Sequence, residues 1–238
     1  MPPVGVNHRL QLACVWAGPL FLVTYLIAFW PLAHFMPPPS PHWSEAHVAA
    51  FFAAHRTGIR IGMVLGMVSC TLLFPYFAVI SVQIARIERR SPVLAIMQFG
   101  AGVLLLVFFF VCAMLWIVAA FRPHLPLATL RLLNDAGWLV FVMVFPEYTL
   151  QMLCMAIAGF IDKSPHPTWP RWASYFNIWV GISGAGGGLA CFFMRGAFAW
   201  NGVVGFFIPL TVFAIWLVVN TYLLHTAVVR QAHEEATA

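Results

Sequence analysis

The sequence predicts an all-α integral membrane protein, built as a single bundle of six transmembrane helices. Hydrophobic residues make up 62% of the 238-residue chain and charged residues only 8%, whereas a soluble domain carries about 25% charged residues. The mean hydropathy is +0.90. Charged residues and prolines concentrate between long apolar segments, and each such segment exceeds the roughly 20 residues that a helix needs to cross a bilayer.

Six apolar segments are predicted to span the membrane: residues 11–35, 59–85, 93–121, 136–161, 173–195 and 203–229. The connections between them are too short for another domain, so residues 1–238 are expected to form one domain. The first segment is longer than the roughly 7–15-residue core of a secretory signal, and no A-x-A cleavage site follows it. We therefore expect it to be a retained span.

The distribution of basic residues predicts the orientation. Seven of the twelve Lys and Arg residues fall on one side of the predicted bundle and five on the other. The denser side includes Arg86, Arg89 and Arg90 in one short turn. Because cytoplasmic loops carry an excess of Lys and Arg, this predicts a cell-membrane protein with both termini in the cytoplasm.

The first outer loop is the longest connection. Its proline-rich stretch, residues 37–41, favours an extended conformation. Ser44 then has the position of an N-cap, which predicts a short helix over residues 42–55. Trp43, Phe51 and Phe52 would give this helix apolar contacts, so we expect it to lie at the membrane interface.

The second span carries a stripe of small or polar residues. Gly62, Ser69, Tyr76 and Gln83 recur every seven residues, which keeps them on nearly one face of a helix. Such a face is expected to point into the bundle rather than toward lipid. Tyr76 directly follows Pro75, so a kink is predicted beside it.

The fourth span contains the most unusual residue of the chain, Glu147, placed within an apolar segment directly after Pro146. Ionisable residues at membrane depth are rare and are usually functional. Pro146 cannot donate a backbone hydrogen bond to the carbonyl near Val142, so a kink is predicted there. Gln151 lies one turn after Glu147 on the same helix face.

These residues are the candidate catalytic group. Glu147 would act as a general acid or base, while Tyr76 and Gln151 would orient a substrate or stabilise developing charge. The interpretation requires Tyr76 and Glu147 to face one cavity. The alternative is that Glu147 makes a structural hydrogen bond between the fourth span and a neighbouring helix.

The fifth span contains a glycine-rich run over residues 181–188. Its small-x-x-x-small spacing is typical of close helix packing; the alternative is that the missing side chains leave room for a flat ligand. Candidate ligand-binding residues are Asn177, Ser69, Trp138, Tyr148 and Asn201.

Metal and disulfide sites are not predicted. The five cysteines lie in five different apolar segments and none forms a C-x-x-C pair. Histidines collect on the predicted outer side, but their spacing matches no metal-binding motif. The residue patterns do not identify a cofactor, and the scattered basic residues do not indicate a nucleic-acid partner.

Three functions remain open from the sequence. The first is a protein that binds a lipophilic small molecule in a polar pocket around Glu147, with isomerase, hydratase or cyclase chemistry as a further step. The second is a non-catalytic membrane subunit packed against a larger partner. The third is a small proton-coupled transporter or channel, with a homo-oligomer supplying further helices. Membrane lipid is the expected surrounding in each case.

Overall fold

A computed structural model describes residues 7–237, and all regular secondary structure in this range is helical. It contains α1 (His8–Ile27), α2 (Glu45–Cys70), α3 (Leu73–Glu88), α4 (Val93–Phe121), α5 (Leu127–Val142), α6 (Phe145–Ile161), α7 (Arg171–Gly188) and α8 (Ile208–Thr237). Two π-helical segments, Ala28–Leu32 and Val203–Phe207, continue α1 and precede α8, and a short 3-10 helix covers Ala190–Phe192.

Within the described part of the chain, five helical segments are long and apolar enough to cross a membrane. They are His8–Leu32, Glu45–Glu88, Val93–Phe121, Leu127–Ile161 and Val203–Glu235. The predicted all-helical class is therefore confirmed. The predicted fifth span is not among the five: α7 ends at Gly188 after 18 residues, and its glycines add little hydropathy.

The predicted second span, 59–85, is two helices. α2 ends at Cys70 and α3 begins at Leu73. In the turn between them, the hydroxyl of Thr71 donates to the carbonyl of Val68 at 2.7 Å. Pro75 lies in the first turn of α3. Backbone N–H groups in the first turn have no acceptor within the helix, so the missing N–H of proline costs no hydrogen bond there. A proline in this segment therefore begins a new helix instead of kinking an old one.

The predicted fourth span, 136–161, is divided in the same way. α5 ends at Val142 and α6 begins at Phe145, with Pro146 in its first turn. The prediction of one kinked helix is thus corrected to two helices. The reason is again that proline is tolerated at a helix start and disfavoured inside a helix.

The N-terminus of α2 agrees with the predicted cap. The hydroxyl of Ser44 accepts the backbone N–H of His47 at 3.2 Å. The helix then continues unbroken to Cys70, because no proline interrupts it. Residues 45–55 are its first turns and not a separate helix over 42–55; their location at a membrane interface stays a prediction.

α4 lies at the centre of the bundle and packs against α2, α3, α5 and α6. α1 packs against α8 and α3, and α6 against α7. Two apolar cores result. One joins α1, α3, α6, α7 and α8 around residues such as Tyr76 and Trp216. The other is an aromatic core of Phe29, Phe35, Trp116, Trp138, Phe141 and Phe206.

Both ends of the described chain lie at one end of the bundle, called here the terminal end. His8 Nε2 is 3.0 Å from a carboxylate oxygen of Glu235, so α1 begins where α8 ends. At the opposite end, the indole N–H of Trp200 donates to the carbonyl of Pro39 at 2.8 Å. The long outer loop and the turn before α8 are therefore joined there.

α2 approaches the π-helical segment after α1 very closely, and glycine makes this possible. A Cβ atom on Gly62 would overlap the carbonyl oxygen of Ala28, and one on Gly58 would overlap that of Leu32. Each of these contacts is to backbone, which cannot move aside as a side chain can. The close approach therefore depends on the absence of a side chain at both positions.

Gly62→Ala is predicted to lower the free energy of unfolding by about 1–3 kcal/mol, because the added methyl would force the two backbones apart. Gly100→Ala in α4 is the matched control, since a Cβ atom there would meet nothing within 4 Å. It should be neutral or stabilise by up to about 1 kcal/mol through higher helix propensity. Thermal unfolding in detergent measures both, and equal effects of the two substitutions would contradict the close packing.

Candidate functional site

Glu147 lies in the first turn of α6 and is partly exposed. Among the described residues it has no hydrogen-bond or ion-pair partner, so the alternative of a structural hydrogen bond to a neighbouring helix finds no support. A carboxylate in the first turn of a helix interacts favourably with the helix dipole. This position explains how the chain accommodates Glu147 without a cationic partner.

The carbonyl group that the sequence predicts to be freed near Pro146 belongs to Val142, the last residue of α5. It lies against Gly187 of α7, where a Cβ atom would overlap its oxygen. Gly188 similarly lies against the ring of Phe145 and Gly186 against the backbone of Val204. Protein atoms thus occupy the space beside these glycines, which supports close packing over the predicted space for a flat ligand.

An apolar cavity of about 90 Å³ adjoins the break between α5 and α6. It is lined by Leu105, Phe109, Phe141, Val142, Val144, Phe145, Tyr148, Gly184, Gly205, Phe206, Pro209, Leu210 and Phe213. Val144, Phe145 and Leu210 are partly exposed, so the cavity lies close to the surface that the bundle presents to lipid. Glu147 is not among the lining residues.

Tyr148 has the only polar side chain in this lining. It is 7% exposed, and its ring packs on Gly184 and against Phe213, with 6.0 Å between the two ring centroids. Its buried hydroxyl lies beside Ser183 without completing a hydrogen bond of standard geometry. Tyr148 was predicted as a ligand-binding residue, and it is the one candidate that the structure places in this cavity.

Gln151 is fully buried one turn further along α6. Its Nε2 donates to the backbone carbonyl of Gln98 at 3.4 Å, and Gly102 leaves room for the amide. The side-chain carbonyl of Gln98 accepts the hydroxyl of Ser81. Gln151 Oε1 and Gln98 Nε2 have no hydrogen-bond partner within residues 7–237. Gln151 therefore belongs to a polar contact among α3, α4 and α6, and it lies outside the apolar cavity.

Among the described residues no hydrogen bond joins Tyr76 to Glu147, and neither residue lines the apolar cavity. The buried hydroxyl of Tyr76 donates to the carbonyl of Leu217 in α8 at 3.2 Å, with Thr221 at 3.5 Å. Ser69 donates to Leu65 within its own helix at 2.8 Å. The predicted stripe of which Tyr76 and Ser69 are part is buried at all four positions, but its hydroxyl groups are used in packing contacts.

Two tryptophan–asparagine pairs hold α8 in place. One joins α8 to α7, and the other joins α8 to the loop that precedes α7. The carboxamide oxygen of Asn177, a predicted ligand-binding residue, accepts the indole N–H of Trp216 at 2.8 Å. The indole N–H of Trp169 donates to Asn220 at 2.9 Å. All four side chains are buried. Asn177 thus cross-links two helices, although its own amide N–H groups have no partner.

The last two predicted ligand-binding residues are not among the residues that line the cavity. Trp138 is fully buried in the aromatic core, with its ring centroid 5.0 Å from that of Trp116. Neither indole N–H has a partner among the described residues. Asn201 lies in the turn before the second π-helical segment and is partly exposed.

The outer histidines form pairs rather than a cluster. His34 and His55 stack with 4.1 Å between ring centroids, and His42 contacts Arg195 at 2.6 Å. In the part of the chain that the structure describes, no group of three or more His, Cys, Asp or Glu residues is arranged to hold a metal ion.

No family model, curated protein or solved structure matches this chain. The chemistry of the cavity itself favours an apolar ligand, since no charged side chain lines it and a single phenol supplies polarity. Sequence reasoning missed most of its lining, including Leu105, Gly205 and Phe213. Proline was the one signal that could have located it, because Pro146 and Pro209 mark the two irregular segments that border the cavity.

Proposed function

We propose that this protein is an integral membrane protein that binds a lipophilic small molecule in the apolar cavity beside Tyr148. The observation that supports the proposal is a cavity bounded by five helices and a π-helical segment, with one phenol as its polar group. Binding sites for small molecules are typically apolar with few polar groups that fix orientation. The hydroxyl of Tyr148 has unused hydrogen-bonding capacity and would supply that orientation.

The size of the cavity limits what it can take. Its volume of about 90 Å³ is smaller than the roughly 150 Å³ of an apolar cavity that binds benzene. It therefore suits a branched apolar end of a larger molecule, with the remainder extending between the partly exposed residues toward lipid. A terpenoid or an alkyl-substituted aromatic compound has this form.

Glu147 would supply acid–base chemistry to the bound molecule. It is adjacent in sequence to Tyr148, and its carboxyl group has no partner in the part of the chain that the structure describes, so it would be available to a molecule that protrudes from the cavity. In that position it would act as a general acid or base. Tyr76 and Gln151, whose polar groups are engaged on other helices, would then contribute through packing rather than contact.

The proposed topology has six crossings, with α2–α3 and α5–α6 each forming one crossing and α7 forming the fifth. The contact between His8 and Glu235 supports an even number of crossings. The terminal end carries Arg86, Arg89 and Arg90, which supports a cytoplasmic location for both termini.

A small photoreactive arene, trifluoromethyl phenyl diazirine, is predicted to label peptides containing Tyr148 and Phe213 saturably, because the cavity offers a finite number of sites. Lipid-facing positions should instead label in proportion to probe concentration. Leu210→Trp, which fills the cavity, should reduce the saturable labelling several-fold. Leu104→Trp, on an exposed face of α4, should not. Mass spectrometry of digested protein measures both, and unsaturable labelling at Tyr148 would contradict the proposal.

Glu147→Gln tests the chemical extension separately from binding. If the carboxyl group meets the bound molecule, Glu147→Gln should weaken the affinity for an amino-substituted arene about tenfold, because a charge-assisted hydrogen bond is lost. Glu45→Gln is the matched control, since Glu45 also lies in the first turn of a helix, and it should leave the affinity unchanged. Fluorescence titration of the probe measures the affinity. Equal affinity of wild type and Glu147→Gln for the amino-substituted arene would exclude contact with Glu147 while leaving binding intact.

The topology predicts opposite labelling at two exposed positions in a variant without native cysteines. Ala197→Cys, at the opposite end, should react with a membrane-impermeant maleimide on intact cells. Ser164→Cys, at the terminal end, should react only after permeabilisation. Both positions are exposed in the structure, so a difference reflects the membrane and not burial in the protein. Labelling of Ser164→Cys on intact cells would reverse the orientation.

A further inference from the structure

A second cavity lies at the terminal end of the bundle and differs in character from the first. Its volume is about 690 Å³, and it is bordered by the end of α3, the loop after α6 and the end of α8. The charged residues that line it are Arg86, Arg89, Lys163, Arg230, Asp162 and Glu234. In a chain with 8% charged residues, this concentration around one cavity calls for a physical explanation.

The lining has a surplus of positive charge: four basic side chains against two carboxylates. The carboxylate of Asp162 already accepts the backbone N–H groups of Ser164 at 2.9 Å and Thr168 at 3.2 Å. Arg230 lies 3.9 Å from Glu234. Asp162 is thus engaged with backbone N–H groups and Glu234 with Arg230, and the lining keeps two more basic side chains than carboxylates.

Three of the basic residues have no carboxylate in contact. Among the described residues, Arg86, Arg89 and Lys163 have no Asp or Glu oxygen within 4.0 Å. Excess Arg and Lys on the cytoplasmic side is expected from topology alone. That rule explains charges in loops but requires neither a cavity nor a fixed arrangement of side chains around it.

Arg86 is held in place by a buried chain of amides. Its Nη1 donates to Oε1 of Gln83 at 2.9 Å. Gln83 is fully buried, and its own Nε2 donates to Gln11 at 2.9 Å and to Gln231 at 3.4 Å. One of the five guanidinium N–H groups of Arg86 is thus used to orient the others. Glutamines from α1, α3 and α8 together position one cation at the cavity.

We infer that this cavity binds a phosphate-bearing anion, with Arg86 as the central contact and Arg89, Lys163 and Arg230 around it. Guanidinium groups bind phosphate through paired charge-assisted hydrogen bonds, and a fixed guanidinium loses less entropy on binding. His166 also lines the cavity and can donate a further hydrogen bond. The anion comes either from the headgroup of an acidic phospholipid or from a soluble phosphate compound; the recognition chemistry is the same.

The test uses the full-length protein in nanodiscs of phosphatidylcholine, to which either phosphatidic acid or inorganic phosphate is added. Thermal unfolding measures the stabilisation of the protein by the added anion, and native mass spectrometry measures the amount of anion bound. We expect binding to the wild type and an affinity loss of about tenfold or more for Arg86→Gln, since a charge-assisted hydrogen bond is lost. Arg90→Gln is the matched control: it lies in the same turn but does not line the cavity, and should bind within about twofold of wild type.

Gln83→Leu tests whether the fixed orientation of Arg86 contributes to binding beyond its charge. The substitution keeps all four basic residues and removes the amide that holds Arg86. Weaker binding with unchanged net charge supports the proposed geometry. If Arg86→Gln does not fold, Arg89→Gln and Lys163→Gln carry the same test at less buried positions. Stabilisation by phosphatidic acid alone identifies a lipid headgroup, and stabilisation by inorganic phosphate identifies a soluble ligand. No binding to wild type, or equal binding to Arg86→Gln and Arg90→Gln, overturns the proposal.

Discussion

The shape of this bundle depends on one backbone constraint, the inability of proline to donate a hydrogen bond inside a helix. Pro75 and Pro146 each begin a new helix, Pro31 lies within the first π-helical segment, and Pro209 follows the second. Pro19, by contrast, is accommodated inside α1. Because backbone groups in a hydrocarbon environment need partners within the protein, every interruption must be compensated by a neighbouring element. The apolar cavity forms between two such interruptions, the α5–α6 break and the segment before Pro209.

Glycine is the residue that makes this compensation possible. At Gly62 and Gly187, a helix backbone comes against the carbonyl group of an interrupted segment, Ala28 and Val142 respectively. Such approaches bring Cα–H groups to carbonyl oxygens and contribute weak interactions that recur at helix–helix interfaces. The glycine-rich end of α7 has the same role. Close packing there leaves a cavity only where aromatic rings, including those of Tyr148 and Phe213, fail to fill the remaining space.

Charged side chains concentrate at the terminal end of the bundle, whereas the apolar cavity has a single polar side chain. This difference distinguishes the two proposed binding sites. Two buried indoles pair with amides between elements, as Trp216 does with Asn177 and Trp169 with Asn220. In the lining of the apolar cavity the hydroxyl of Tyr148 is the one polar side-chain group. Charge collects at the terminal end, where amides from three helices hold Arg86 at a large cavity. A lipophilic molecule suits the first environment and a phosphate group suits the second.

The all-helical class, the presence of several long apolar helices and the cap at Ser44 follow from the sequence alone, because composition, segment length and capping are local properties. Periodicity also predicts that the face bearing Ser69 and Tyr76 is buried. The sequence does not determine which neighbour each buried group contacts. Tyr76 turns to α8 and Gln151 to α4, while Glu147 is not among the residues that line the cavity. Those partners depend on how helices distant in sequence are rotated and how closely they approach, and only the tertiary structure determines both.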